Sequence, residues 1–205
     1  MIGRPSASMA DFVSLALRES DMQKVIIFDG PDNTGKSHIG KELSRQTGIT
    51  YFKNADEHRY FLKDPEYFVH AIRYVDTYFT SYLEASGASI ILDRAWPSEW
   101  IYSQALGRKT DFGVLRELDE RHAALGTHLV ITWRHDYSSK KDDYEQVNAN
   151  IERIHNLYMK FAEWTQCKTL LLNVDDENLE REILEIRKNI NVWKQPHKSL
   201  VTTSN

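Results

Sequence analysis

The chain has 205 residues, 41% of them hydrophobic and 27% charged, with a formal net charge of −4. That is enough for one well-packed soluble domain and too little for two ordinary ones. The acidic balance speaks against a duplex-binding surface, although a local basic groove could survive it. The single cysteine, Cys167, excludes a disulfide frame or a multi-thiolate metal site. No apolar run approaches the ~20 residues of a membrane span, and no signal-type apolar segment opens the sequence, so no membrane partner and a cytoplasmic location are expected.

Residues 1–22 begin with small and polar types and then offer an amphipathic turn or two around Phe12, Leu15 and Leu17, read as a loosely attached N-terminal extension. The first strand is Lys24 to Asp29. It feeds Gly30-Pro31-Asp32-Asn33-Thr34-Gly35-Lys36-Ser37, a complete G-x-x-x-x-G-K-S, and a helical pattern with Ile39 and Leu43 facing inward follows. A strand that turns this sharply into a helix aims backbone amides at one point, where the helix N-terminus and a lysine ammonium complete a phosphate cradle. Gly30 and Gly35 permit the tight backbone, with Asn33 and Thr34 between them. Lys36 is expected to reach the β/γ-phosphates of ATP, and the Ser37 hydroxyl to hold Mg²⁺.

Gly48 closes that helix, and Ile49 to Phe52 forms a short second strand ending at Lys53. Ala55 to Asp64 reads as loop. From Pro65 a long helix is expected, with Phe68, Ile72, Val75, Phe79 and Leu83 inward and the aromatics Tyr67, Tyr74 and Tyr78 mostly core. Gly87 stops it. Ser89 to Leu92 is an apolar third strand ending in Asp93-Arg94, followed by helices over Ser98 to Leu106 and Asp111 to Leu125. His128 to Trp133 is the fourth strand. A polar stretch, Arg134 to Asp143, leads into a helix patterned from Tyr144 to Phe161. Thr169 to Asn173 is the fifth strand, and Asn178 to Ile190 the last helix.

Short apolar runs alternating with helices predict an α/β fold, a five-stranded parallel sheet flanked by helices in the P-loop NTPase arrangement. The expected domain covers residues 23–193, with a short lid at about 134–143 and a flexible tail over 194–205. In such sheets ligands bind beyond the carboxyl ends of the strands, where Asp29 to Ser37, Lys53, Asp93-Arg94 and Arg134 converge. Asp93 is placed to hold Mg²⁺ through water or to accept a proton. Arg94 can present a planar fork to phosphate.

The phosphate loop, the sequence Leu92-Asp93-Arg94 followed by Ser98 and Tyr102, and the element order together resemble the thymidylate kinase family of nucleoside monophosphate kinases. The resemblance implies ATP-dependent phosphoryl transfer to a nucleoside monophosphate, dTMP or a related deoxynucleotide, with Mg²⁺, and a homodimer. It places the acceptor sugar on Asp32, the acceptor phosphate on Arg94 and a further acceptor contact on Arg73, with Tyr102 beside them. The chain departs from the family at several points. The family's Arg-Glu-Pro is missing from the second strand, where Lys53 and Arg59 are the available substitutes. The loop position that often carries a catalytic arginine is Asn33, and the lid offers only Arg134, Lys140 and Lys141, of which lysine gives charge without the bidentate fork. Trp96, Pro97 and Trp100 are expected to reshape the acceptor pocket.

Other readings use the same donor site. A deoxynucleoside kinase would need a general base, Asp93 or Asp32. A kinase acting on a modified base in single-stranded DNA would need a basic groove with stacking rings, for which Trp96, Trp100, Lys53 and Arg59 are available. A non-catalytic nucleotide-binding regulator also fits the sequence. A GTP switch does not, because Trp133-Arg134-His135-Asp136 stands where a guanine-reading Asn-Lys-x-Asp would. Asp111-Phe112-Gly113 imitates a protein-kinase signature without its companions, and the eight histidines show no metal spacing.

Overall fold

The computed structural model describes residues 23–53, 67–139 and 145–191. The expectations for the N-terminal extension, the 55–64 loop, Arg59, Lys140, Lys141 and the tail fall outside them.

Strand β1 (Val25–Asp29) is buried along its whole length. That burial requires a central position with both faces covered, which is what a continuous apolar run encodes. It pairs in parallel with β3 (Ile90–Asp93) on one side and β4 (His128–Trp133) on the other. The edges are β2 (Thr50–Lys53) and β5 (Lys168–Asn173), giving the order β2-β3-β1-β4-β5 with every pairing parallel. Strand side chains alternate between faces, so the core divides in two. Val25, Ile27, Leu92, Leu129 and Ile131 meet Trp96, Ile101, Leu115, Tyr158 and Phe161 on one face. Ile26, Phe28, Ile91, Val130 and Leu172 meet Ile39, Leu43, Ile183 and Ile186 on the other.

Helices α1 (Lys36–Thr47) and α7 (Leu179–Ile190) supply the second face. Helices α3 (Trp96–Leu106), α4 (Phe112–Ala124) and α6 (Ile151–Trp164) supply the first. Helix α2 begins as α-helix over Tyr67–His70, continues as π-helix over Ala71–Asp76 and returns to α-helix over Thr77–Ser86.

The expected inward face holds at Ile72, Phe79 and Leu83 and fails at Val75, which lies in the π segment, where i→i+5 bonding widens the turn. Ile72, Thr80 and Leu83 are buried and Phe79 is half-buried, whereas Val75, Tyr74 and Tyr78 are exposed by 52%, 58% and 74%. The expected helix from Tyr144 to Phe161 is also divided, into α5 (Glu145–Ala149) and α6. At the break, the Asn150 side-chain amide donates to the Gln146 carbonyl, a local bond that competes with the helix ladder. Asp111 proves to be an N-cap: its carboxylate accepts from the amides of Gly113 at 3.0 Å and Val114 at 3.2 Å. Among the described residues no helix is long and apolar enough to cross a membrane.

Candidate active site

The carboxyl ends of β1, β3 and β4 lie side by side, so the segments leaving them share one rim. Gly30 leaves β1 with φ +135°, and a Cβ there would stand 2.3 Å from the Thr132 carbonyl oxygen of β4. Only glycine tolerates both the angle and the approach. Thr34 ties the loop down, with its hydroxyl 2.8 Å from the Pro31 carbonyl and 2.6 Å from the Thr132 hydroxyl. Inside this turn the Lys36 ammonium donates to the Gly30 carbonyl at 3.1 Å, the Pro31 carbonyl at 2.6 Å and the Thr34 hydroxyl at 3.3 Å. Burial, aided by the charge of Arg94, lowers the Lys36 pKa to about 7 against the pull of Asp32, Asp29 and Asp93. An anion arriving in the loop would favour the charged form.

At the first turn of α1 the Ser37 hydroxyl donates to Oδ2 of Asp93, which is buried at the end of β3. The Tyr51 hydroxyl donates to the same oxygen at 2.6 Å. A hydroxyl and a carboxylate in contact beside a phosphate cradle are hard oxygen donors of the kind Mg²⁺ takes, with its remaining positions left to water and phosphate. The residues present fit that ion. Among the described residues no cluster of three or more His, Cys, Asp or Glu offers another metal site.

Arg94 follows Asp93 with φ +67°, a left-handed backbone that costs a non-glycine residue of order 1–3 kcal/mol and needs surrounding contacts to hold it. Those contacts are present. The Arg94 amide donates to the Phe28 carbonyl at 2.9 Å. Its guanidinium donates to the Ser98 hydroxyl at 2.9 Å and the Gly30 carbonyl at 3.3 Å, lies 3.4 Å from Asp29 Oδ1, and pairs with Asp32. Tyr102 donates to the other oxygen of Asp32 at 2.5 Å. Burial opposes the charge of Asp32, but Arg94, Lys36 and the hydrogen bonds outweigh it and hold its pKa below the usual value.

Asp29 is the centre of this network. Its Oδ1 accepts from the Gly30 amide at 2.9 Å, Ser98 at 2.7 Å and Tyr158 at 2.6 Å. The sequence offers Asp29 only as a strand-end carboxylate. Tyr158, 129 positions away, has no signal at all, because at helical spacing a tyrosine reads as core.

Beside Arg94 opens a cavity walled by Phe52, Asp76, Phe79, Leu92 and Trp96. Phe52 and Phe79, both on its wall, stack on each other at 5.7 Å. Trp96 is fully buried, with its ring edge-on to Phe161, so it forms a wall and not an exposed stacking surface. Trp100 packs instead on Trp164 at 4.2 Å, outside the cavity walls. Arg73 lies on the π segment and grips Asp111, with its Nε 3.0 Å from the carboxylate. Lys53 ends β2 in register with Asp93 and is exposed. Arg134 is buried at the end of β4, where it donates to the Asn33 carbonyl at 3.3 Å and pairs with Glu177 at 3.0 Å. It therefore braces the phosphate loop from the side away from the cavity, while Asn33 holds its own left-handed turn (φ +59°).

No protein-family model matches the sequence, and no curated protein does. Solved structures match in fold. The YorR protein of Bacillus subtilis, solved in complex with phosphorylated GDP, is 19% identical with a TM-score of 0.55, over 80% of this chain and 97% of that one. Thymidylate kinase from Candida albicans is 15% identical at a TM-score of 0.52, over 83% and 92%. Deoxyadenosine kinase from M. mycoides, with the products dCMP and a flexible dCDP bound, is 18% identical at 0.52, over 82% and 99%. At such identities the likeness is one of fold: this chain has the thymidylate kinase-like P-loop kinase fold, a parallel sheet flanked by helices.

Proposed function

We propose that the protein transfers the γ-phosphoryl group of ATP to a nucleoside monophosphate, dTMP or a related deoxynucleotide. The observation that carries this reading is the convergence of two cations on one carbonyl. The Lys36 ammonium inside the phosphate loop donates to the Gly30 carbonyl at 3.1 Å, and the guanidinium of Arg94, a residue that also lines the cavity, donates to it at 3.3 Å. Phosphoryl transfer depends mainly on holding two anionic groups in line and neutralising their charge.

On binding, the Lys36 ammonium exchanges its loop carbonyls for the terminal phosphates of ATP. Ser37 and Asp93 would hold Mg²⁺, which would supply neutralisation of the phosphate charge. Arg94, held by Ser98 and Asp29, exchanges its pairing with Asp32 for the acceptor phosphate, and Asp32 with Tyr102 turns to the acceptor sugar. The flat wall of Phe52 and Phe79 suits a base. A phosphate acceptor is already ionised near neutral pH, because its second pKa is about 6, and it needs no general base. A 5′-hydroxyl acceptor does need one. Asp29, Asp32 and Asp93 are each engaged by donors, which favours the monophosphate over the nucleoside.

The test is ADP release from Mg·ATP with dTMP, the other deoxynucleoside and ribonucleoside monophosphates, free nucleosides and a short single-stranded oligonucleotide, for wild type and Lys36→Ala in parallel. Turnover with a monophosphate, reduced at least ~100-fold in the variant by loss of the phosphate-stabilising cation, is expected. Turnover with nucleosides or the oligonucleotide alone would overturn the monophosphate reading and return Asp32 and Asp93 to the role of base.

A further inference from the structure

Asp93 is held by a residue outside both the phosphate loop and the Asp-Arg pair. Tyr51 lies on β2 in register with Ile91, two residues before Asp93 and on the same face of the sheet. From that diagonal position its side chain runs along the sheet toward the strand end. Thr50, Phe52 and Lys53, the rest of β2, are exposed, and Tyr51 alone is half-buried there, against the core under α1. Its hydroxyl ends 2.6 Å from Asp93 Oδ2, the oxygen that Ser37 also approaches.

Helix α1 is shaped to admit the ring. Gly40 passes directly over it, and a Cβ at that position would lie 2.9 Å from Tyr51 Cε2 and 3.2 Å from Cδ2. Gly40 has no positive φ, so the demand there is for space and not for backbone freedom. The Lys41 ammonium stands 5.8 Å from the ring centroid, a cation over the aromatic face. A glycine in a helix interior is less favourable than alanine, a cost that has a purpose if the ring must sit where it does.

We infer that Tyr51 is a positioning residue for Asp93, one that sets the Mg²⁺ affinity of the phosphate site. Ser37 has one hydrogen to donate to Asp93 and lone pairs left to offer a metal, so its hydroxyl is shared between the two. Tyr51 donates to the same carboxylate oxygen from outside the phosphate loop and fixes the orientation of Asp93 independently of Ser37. Groups that hydrogen-bond a metal-facing carboxylate alter metal affinity by about 10- to 100-fold when removed. The inference rests on the Mg·ATP reading of the site.

The experiment is calorimetric titration of ADP into wild type, Tyr51→Phe and Gly40→Ala, each with Mg²⁺ and with chelator, followed by Mg²⁺ titration at saturating ADP. The phenylalanine keeps the ring and its packing and removes only the hydroxyl. The expected result is a rise of about tenfold in the Mg²⁺ concentration needed by Tyr51→Phe, at the low end of that range, with metal-free ADP affinity unchanged. Gly40→Ala, by displacing the ring, should show the same split. Wild-type Mg²⁺ dependence in Tyr51→Phe, or an equal loss with and without metal, would overturn the inference while leaving the site reading intact. A wild-type protein whose ADP affinity ignores Mg²⁺ would overturn both.

Discussion

Lys36 carries the clearest chemical consequence of the free protein's geometry. Its ammonium is buried among its own loop's carbonyls, and burial with the nearby charge of Arg94 brings its pKa to about 7. Phosphate oxygens would restore the charge, so nucleotide binding should take up a proton near neutrality. The sign follows: the proton is already in place below pH 7 and must be acquired above it. ADP affinity should therefore fall as pH rises from 7 to 9, by up to about tenfold per unit. Titrations in buffers of different ionisation enthalpy should register the uptake, and a flat profile would refute it. Arg94 is a matter of shape more than charge. Arg94→Lys keeps the charge but cannot reach Ser98, Gly30 and Asp32 at once. We expect the acceptor KM to rise at least ~10-fold, as loss of charge-assisted hydrogen bonds implies, with the ATP KM little changed. At this scale the loop from Gly30 to Ser37 was legible because its spacing encodes backbone geometry, and Asp93-Arg94 because it ends an apolar run. Asp29, Tyr51 and Tyr158 were not, because their roles come from tertiary contacts that leave no local pattern.

Elements were legible wherever burial and period agree. All five strands and the capped helices stand within a residue or two of the pattern, and Gly48 and Gly87 close α1 and α2 as expected. The exceptions share one cause, a backbone hydrogen-bonding choice that side-chain periodicity does not record. The π segment of α2 is one case, and within it Tyr74 and Val75 lie exposed. The break at Asn150 is the other. The end of α2 is fastened to α4 by a chain of hydrogen bonds. The Thr80 hydroxyl donates to the Asp76 carbonyl, so it accepts from His122 Nε2, and His122 Nδ1 accepts from Thr127. Such a histidine must be neutral, and burial lowers its pKa to about 4. The folded pKa lies below the unfolded value, so this contribution is present above pH 6.5 and is lost as pH falls toward 4. Urea midpoints should decline across that window, and His122→Gln should flatten the decline. An unchanged slope in the variant would show that other groups carry it. Gly30→Ala forces a Cβ into the β4 carbonyl and should abolish ADP binding while the sheet still folds, as read by calorimetry and far-ultraviolet circular dichroism.

For the whole molecule, the strand order positions the candidate site. Placing β1 between β3 and β4 brings the phosphate loop, Asp93-Arg94 and Arg134 to one rim. The acceptor is less legible because its pocket is assembled from β2, α2 and α3, elements whose side chains vary freely on a shared fold. Trp96 and Trp100 illustrate the point. In the sequence both are available as stacking rings for a strand of DNA, whereas in the fold one is a buried wall and the other packs on Trp164. The measurement that bears most directly on the central claim is the fate of the γ-phosphate. Labelled [γ-³²P]ATP, Mg²⁺ and the protein would be incubated with dTMP and with the wider set of monophosphates, nucleosides and an oligonucleotide, and the products separated. Label in a nucleoside diphosphate is the expected result. Label only in a nucleoside monophosphate, in the oligonucleotide or in free phosphate would contradict it.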